Sequence, residues 1–212
     1  MDEENSKFTE NEKLLIKIVS TSNKIYLLFD LTRIPNVDLK IAATALHYLI
    51  MELKTFCEAI SEFELLVDDD KRQKFSVIKP IISWLNEYKE GCRIYRNKRV
   101  AHMDKLDTTT SKLFVEYDLP TTKKEINRIN YVIEFLCEYI EIMYIGELEE
   151  SVKKLGELDS PKTKDNPSIN ERGLRLMTAI SQTMKNSEDP SLDKALSDVC
   201  IKRFGPLNKF DF

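Results

Sequence analysis

The chain has 212 residues, a net charge of −4 at pH 7 and 42% hydrophobic residues. This length suits one domain with an appendage or one larger domain, and either can bury a sizeable core. No Walker-type glycine loop, Gly-x-Ser-x-Gly or His-Glu-x-x-His motif occurs, which sets aside several large enzyme classes. The N-terminus is acidic and no run approaches about 18 apolar residues, so we expect a cytoplasmic protein without a secretory signal or membrane span.

The content of glycine and proline predicts the fold class. Only five glycines and seven prolines occur, and most prolines lie between long runs of helix-forming residues. We therefore expect an all-α protein. Residues 1–157 should form a helical bundle of four to five main helices, residues 158–168 a polar linker with two prolines, and residues 169–212 a C-terminal extension of two helices.

The first two helices have clear start signals. Thr9 and Glu12 form a capping box, and the helix that follows should end near Arg33, before Pro35. The second helix should begin around Asp38, as one long helix or two packed segments, because apolar residues continue at helical spacing as far as Phe63. His47 lies beside this apolar stripe, and we expect it to be structural or solvent-facing.

A short acidic run separates the second helix from the next. Asp68 to Asp70 lack the glycine and the alternating spacing of a calcium loop, so we expect a turn whose last carboxylate caps the following helix. That helix starts near Lys71 and should kink or restart at Pro80. Trp84, the only tryptophan, can stack on a base, but we favour a half-buried core anchor.

The most regular helical pattern begins at a capping box formed by Thr122 and Glu125. Apolar residues then follow in three- and four-residue steps, which predicts a helix that closes the bundle core. The polar stripe opposite these residues consists of Asn127, Asn130, Glu134, Glu138 and Glu141. Beyond the linker, Ser168 to Glu171 and Asp189-Pro190 predict the starts of two tail helices, docked on the bundle or on another subunit.

The four cysteines are far apart in the chain: Cys57, Cys92, Cys137 and Cys200. None belongs to a Cys-x-x-Cys pair or has a histidine at ligand spacing. We therefore expect free thiols that pack as small apolar groups, with neither a metal site nor a cofactor.

The side chains that could bind or react with a ligand are concentrated in residues 89–105, which we call the basic segment. Its positive residues are Lys89, Arg93, Arg96, Lys98, Arg99 and Lys105, and only Glu90 and Asp104 offset them. A basic segment in an acidic chain indicates a localised anion site, and phosphate is the usual polyanionic ligand. Alternatively, the segment is a solvated helix end in which His102 acts as a cap.

Three residues of the basic segment suit phosphodiester cleavage without a metal. His102 can transfer a proton near neutral pH, Arg96 can hold a phosphate and stabilise its developing charge, and Asn97 can orient it. The residues expected to bind the RNA backbone are Arg93, Lys98, Arg99 and Lys105. Two further residues can support the site: Tyr95, by stacking on a base or by packing in the bundle, and Asp104, by orienting His102 or as a surface charge.

Helix geometry constrains this assignment. Six residues on an ideal helix place Arg96 and His102 about 120° apart around the axis. Either the helix ends before His102, or a second copy of the chain completes the site across a two-fold axis.

The segment from Arg96 to His102 resembles the Arg-x4-6-His signature of the HEPN superfamily, in which a polar residue such as Asn97 commonly follows the arginine. The longer run YRNKRVAHMD resembles the abortive-infection branch of that superfamily. The likeness covers Thr9 to Leu155 in element order. It implies a helical bundle that forms a homodimer with both motifs at a shared cleft.

Many members of this superfamily are metal-independent ribonucleases of toxin–antitoxin or antiphage systems, and they leave 2′,3′-cyclic phosphate and 5′-hydroxyl ends. The resemblance therefore implies an RNA substrate and an antitoxin or other protein as a further partner. Other members only bind, so the alternative function is a non-catalytic dimeric module for RNA, a nucleotide or a protein partner.

Overall fold

The computed structural model describes residues 7–101, 117, 119–120, 122–156, 169–186 and 189–204, and this part of the chain is all helical, without a strand. The expected all-α class is confirmed. No helix in these ranges is both long and apolar enough to cross a membrane. The helices are α1 (Glu10–Arg33), α2 (Leu39–Leu66), α3 (Asp69–Ser76), α4 (Lys79–Ala101), α5 (Lys123–Met143), α6 (Ile145–Gly156), α7 (Ile169–Asn186) and α8 (Pro190–Phe204).

The helix starts follow local capping chemistry. At α1 the Thr9 hydroxyl accepts from the Glu12 amide at 3.2 Å, and the Glu12 carboxylate accepts from the Thr9 amide at 2.7 Å. Thr122 and Glu125 repeat this capping box at α5. Asp38 caps α2, which is one continuous helix rather than two segments. These three predicted starts are confirmed.

The connection from α2 to α4 differs in one detail from the expectation. Asp68 occupies the N-cap position of α3 without a side-chain capping bond, and Asp69 and Asp70 lie inside its first turn. The prediction that Asp70 caps the helix is therefore wrong; as part of the first turn, its carboxylate lies near the positive end of the helix dipole. The helix does restart at Pro80, in the first turn of α4, where a missing amide donor costs little.

The long helices α1, α2, α4 and α5 enclose one hydrophobic core, and the short α3 and α6 complete the described part of the bundle. α1 and α2 run antiparallel, because Lys17 pairs with Glu62 and Lys24 with Glu52. α4 packs on α2, and α5 packs on α1 and α4. The largest fully buried aromatic side chains are Phe29, Phe56, Phe63, Phe75, Tyr95, Phe135, Tyr139 and Tyr144.

The tail helices dock on this bundle. α7 packs along α5, α8 packs on α4, and apolar residues of both, including Ile180 and Leu196, belong to the same core. Trp84 of α4 is an anchor more deeply buried than expected, and its indole donates to Asp189 Oδ2 at 2.7 Å. The linker at 158–168 lies outside the described residues, so the division into two domains stays a prediction.

Docking of the tail changes the environment of the polar stripe on α5. Asn130 and Glu138 are buried, because α1 and α7 cover this side of the helix. Arg175 of α7 lies 3.5 Å from the Glu138 carboxylate. The polar stripe, which the sequence places opposite the core, therefore lies against α1 and α7 in a polar contact.

All four cysteines are free and buried, as predicted. Burial raises the pKa of Cys57 to about 12 and raises the pKa of Cys92 further above its usual range. These two thiols are therefore neutral at physiological pH and behave as packing groups.

Candidate functional site

Helix α4 carries the first part of the basic segment, and its two sides differ sharply. Arg93, Arg96 and Asn97 are exposed, and their spacing of three and four residues places them on one side of the helix. Cys92 and Tyr95 are fully buried on the other side. The buried side of α4 packs in the core, and this packing holds the polar side chains of the other side at the protein surface.

A buried polar contact fixes α4 beside Arg96. The Tyr95 hydroxyl is hydrogen-bonded to Nδ1 of His47 on α2, and the two rings stack at a centroid distance of 5.7 Å with an interplanar angle of 18°. His47 is therefore structural rather than solvent-facing. The Tyr95 ring has no exposed surface, so it packs in the bundle and is not placed to stack on a base.

The two exposed arginines of α4 differ in whether a carboxylate pairs with them. The Arg93 guanidinium forms two hydrogen bonds with the Glu90 carboxylate, at 2.8 and 2.5 Å. This contact lowers the pKa of Glu90 and raises the pKa of Arg93. Among the described residues no carboxylate forms an ion pair with Arg96. A ligand can therefore reach Arg96 without displacing a described carboxylate, whereas Arg93 must first exchange Glu90 for a phosphate, a small cost for an exposed pair.

The rest of the predicted site lies outside the described residues. This applies to His102, Asp104 and Lys105, and to the side chains of Lys98 and Arg99, whose backbone is helical. Of the predicted catalytic residues, the structure describes Arg96 and Asn97, which are neighbours in the sequence and are exposed on α4 one turn after Arg93. Helix α4 is described as far as Ala101, so both alternatives for the position of His102 relative to Arg96 stay open.

A close backbone approach to α4 was not predicted. The carbonyl oxygen of Tyr117 lies so close to Gly91 that a Cβ atom at this position would clash with it, and Leu119 packs beside it. Gly91 lies five residues before Arg96 on the same helix, about 7.5 Å along its axis. A lone glycine inside a helical pattern is the sequence signal for such an approach.

Comparison of the chain with protein-family models, with curated proteins and with solved structures finds no match. A function is therefore proposed on the chemistry of the basic segment and on its resemblance to the HEPN motif.

Proposed function

We propose that the protein is a metal-independent endoribonuclease of the HEPN type in which Arg96, Asn97 and His102 carry the reaction. The observation that supports this most is the state of Arg96. It is exposed, it lies beside Asn97 on a helix anchored by the His47–Tyr95 contact, and no described carboxylate neutralises it. An exposed arginine without a competing carboxylate, on an anchored helix, suits recognition of a phosphate.

The proposed reaction uses the 2′-hydroxyl of the RNA as the nucleophile. His102 accepts the hydroxyl proton while the 2′-oxygen attacks phosphorus, and the bond from phosphorus to the 5′-oxygen breaks. A proton delivered to that oxygen gives a 5′-hydroxyl end, and the other product keeps a 2′,3′-cyclic phosphate. Arg96 stabilises the charge on the phosphate oxygens, and Asn97 orients them.

The proposed active form is a homodimer. With Arg96 and His102 about 120° apart on an ideal helix, a two-fold axis near the end of α4 would bring groups of both copies to one phosphate. Arg93, Lys98, Arg99 and Lys105 would then hold the RNA on either side. In the toxin–antitoxin or antiphage role that the motif suggests, an antitoxin would cover this basic surface.

A second candidate is a non-catalytic HEPN-like module that binds RNA, a nucleotide or a protein partner. It rests on the exposed arginines of α4, Arg93 and Arg96, because guanidinium groups can bind a phosphate without breaking a bond. The two candidates therefore differ in the role of His102.

The test compares cleavage of RNA and of DNA with the same sequence, both in the presence of EDTA. The parent should cut only RNA. His102→Ala should lose at least about 100-fold of the rate, the low end for a general acid or base. Arg96→Ala should also lose activity, whereas Arg72→Ala, a matched exposed arginine on α3, should keep it.

Three results would contradict the nuclease proposal: no cleavage of tRNA, mRNA or single-stranded RNA, cleavage by His102→Ala at the parental rate, or complete inhibition by EDTA. In the first case the binding module is tested directly by RNA affinity. Arg96→Ala should then weaken binding and reduce its salt dependence, and His102→Ala should change affinity only modestly.

A further inference from the structure

Exposed apolar side chains are concentrated on one face of the pair formed by α1 and α2. Of the ten large apolar side chains that are exposed in the described part of the chain, five lie on this face and are 39–65% exposed: Leu27, Leu31, Ile34, Ile41 and Tyr48. Single exposed apolar residues are normal on a protein surface, whereas a contiguous group indicates an interaction site. We call these five residues the apolar face.

Helix geometry makes the apolar face continuous. Leu27, Leu31 and Ile34 are four and three residues apart, which puts them within a sector of about 60° around an ideal helix. Ile41 and Tyr48 are seven residues apart and share one side of α2 for the same reason. The two helices are antiparallel neighbours, and Leu31, Ile41 and Tyr48 together line a groove of about 290 Å³ between them.

The apolar face lies level with Arg96 along the bundle. Leu31 of α1 and Ala45 of α2 line the same groove. His47, two residues after Ala45, is hydrogen-bonded to Tyr95 of α4. A line drawn across the three helices from Leu31 therefore reaches α4 next to Arg96.

Arg96 also lies on the side of α4 that borders α2. Lys89 Nζ donates to Ser61 Oγ of α2 at 3.4 Å, and Arg96 follows Lys89 by seven residues, only about 20° further around the helix. A molecule bound to the apolar face would therefore lie beside the described part of the basic segment.

Two opposite charges flank the apolar face. Asp30 and Arg33 are exposed, and their spacing from Leu31 puts both on one flank of the α1 stripe. Within the ranges that the structure describes, neither of them forms an ion pair. A flank with one charge of each sign matches a copy of itself better than it matches an anionic lipid surface.

Two-fold symmetry brings these charges together. When a two-fold axis relates two antiparallel copies of one helix, each flank meets the same flank of the partner, and every contact occurs twice. With the axis beside Leu31, Asp30 of each copy lies opposite Arg33 of the partner subunit, and the two Leu31 side chains meet at the centre. The same axis, running across the helices, passes close to Arg96.

We propose that the apolar face is the contact surface of a homodimer, with its two-fold axis beside Leu31 and with reciprocal ion pairs between Asp30 and Arg33. The inference rests on the proposed function for the role of the dimer, and it adds the surface that brings the second copy beside Arg96. The association itself uses none of the residues of the basic segment.

The test is sedimentation equilibrium of the full chain without RNA, in which the parent should form dimers at micromolar concentration. Asp30→Arg and Arg33→Asp each set like charges against each other in both ion pairs, so each variant should dimerise at least 10-fold more weakly. An equimolar mixture of the two variants should restore association, because every pair across the interface is then again opposite in sign.

A substitution at the centre of the apolar face tests its apolar part. Leu31→Glu should weaken dimerisation at least 10-fold, because it would bring two carboxylates together beside the axis. Leu65→Glu is the matched control, since Leu65 is exposed near the other end of α2, and it should dimerise as the parent does. Circular dichroism of each variant establishes that the helices are intact.

A monomeric parent at micromolar concentration, or a dimer that all three folded face variants leave unchanged, would overturn the inference. Binding of a monomeric parent to anionic vesicles would assign the apolar face to a lipid surface instead. The nuclease proposal fails separately. A dimer that depends on the apolar face but cuts no RNA would support this inference, whereas cleavage of RNA by a monomeric parent would contradict this inference alone.

Discussion

The contact between His47 and Tyr95 joins α2 to α4 one residue before Arg96, and both side chains are buried. We expect Tyr95→Phe to lower the free energy of unfolding by about 1–3 kcal/mol, because a buried nitrogen of His47 loses this partner while the ring volume is kept. Urea unfolding measures the change. Tyr48→Phe is the matched control, since Tyr48 is exposed on α2 and follows His47 directly in the sequence. Equal stability of Tyr95→Phe and the parent would contradict the anchoring role.

Glu12 connects the start of α1 to α6. Its carboxylate accepts from the Thr9 amide and from Lys154 Nζ, the latter at 2.5 Å. The bond with Lys154 is the largest cause of a lowered pKa of Glu12. The folded pKa is therefore below the unfolded value of about 4.3, so the contribution to stability is complete above that pH and is lost as the pH falls through the folded pKa.

We expect Glu12→Gln to destabilise the protein by about 1 kcal/mol at pH 7, a typical value for a capping interaction. The difference from the parent should shrink as the pH is lowered below about 4, because the parental carboxylate is then protonated too. Urea unfolding at both pH values tests this. Glu10→Gln, an exposed carboxylate paired with Lys13, should have little effect. A difference that persists unchanged at low pH would show that the charge of Glu12 is not involved.

At the scale of helices, the approach of Tyr117 to Gly91 decides how closely the chain crosses α4. Replacement of glycine by alanine in a helix gains about 0.5–1 kcal/mol, but overpacking against a backbone atom costs about 1–3 kcal/mol. Gly91→Ala should therefore lower the melting temperature. Gly146→Ala on α6 is the matched control, because an added Cβ atom there meets nothing within 4 Å. The melting temperature of this variant should equal or exceed that of the parent. A rise for Gly91→Ala would contradict the close crossing.

The elements that the sequence predicts best are those specified by neighbouring residues. Thr9 with Glu12, Thr122 with Glu125 and the proline at position 80 act within one helical turn, and the structure has helix starts at each of them. Asp70 was misassigned because Asp68 to Asp70 are three equivalent candidates for one cap, and local chemistry alone does not separate them.

The contacts that the sequence does not predict join residues far apart in the chain. His47 meets Tyr95 across 48 residues, and Trp84 meets Asp189 across 105. The polar stripe of α5 has the pattern of a solvated face, and the packing of α1 and α7 on this side explains why Asn130 and Glu138 are buried. For the candidate site, the sequence identifies Arg96 and Asn97 by type and spacing, while the Arg93–Glu90 pair and the buried position of Tyr95 required the structure.

At the scale of the whole molecule, the hydrogen bond from Trp84 to Asp189 links the bundle to the tail. Asp189 also accepts hydrogen bonds from the amide and from the hydroxyl of Ser191 at the start of α8. The bond from the Ser191 hydroxyl is the largest cause of the lowered pKa of Asp189, and the bonds from Trp84 and from the Ser191 amide lower it as well. Trp84→Phe and Asp189→Ser both remove the link, and the serine keeps a capping residue. Hydrogen exchange in residues 190–204 should accelerate in both variants, while exchange in α1 stays as in the parent. Equal exchange of α8 in the parent and both variants would show that the tail does not depend on this bond.

The central claim concerns the chemistry at the end of α4, and the ends of the RNA products test it most directly. Mass spectrometry of RNA incubated with the parent in EDTA should find 2′,3′-cyclic phosphate and 5′-hydroxyl ends, and His102→Ala should produce at least about 100-fold less of both. Products with 5′-phosphate and 3′-hydroxyl ends, or the same yield of cyclic phosphate from His102→Ala, would contradict the proposed reaction.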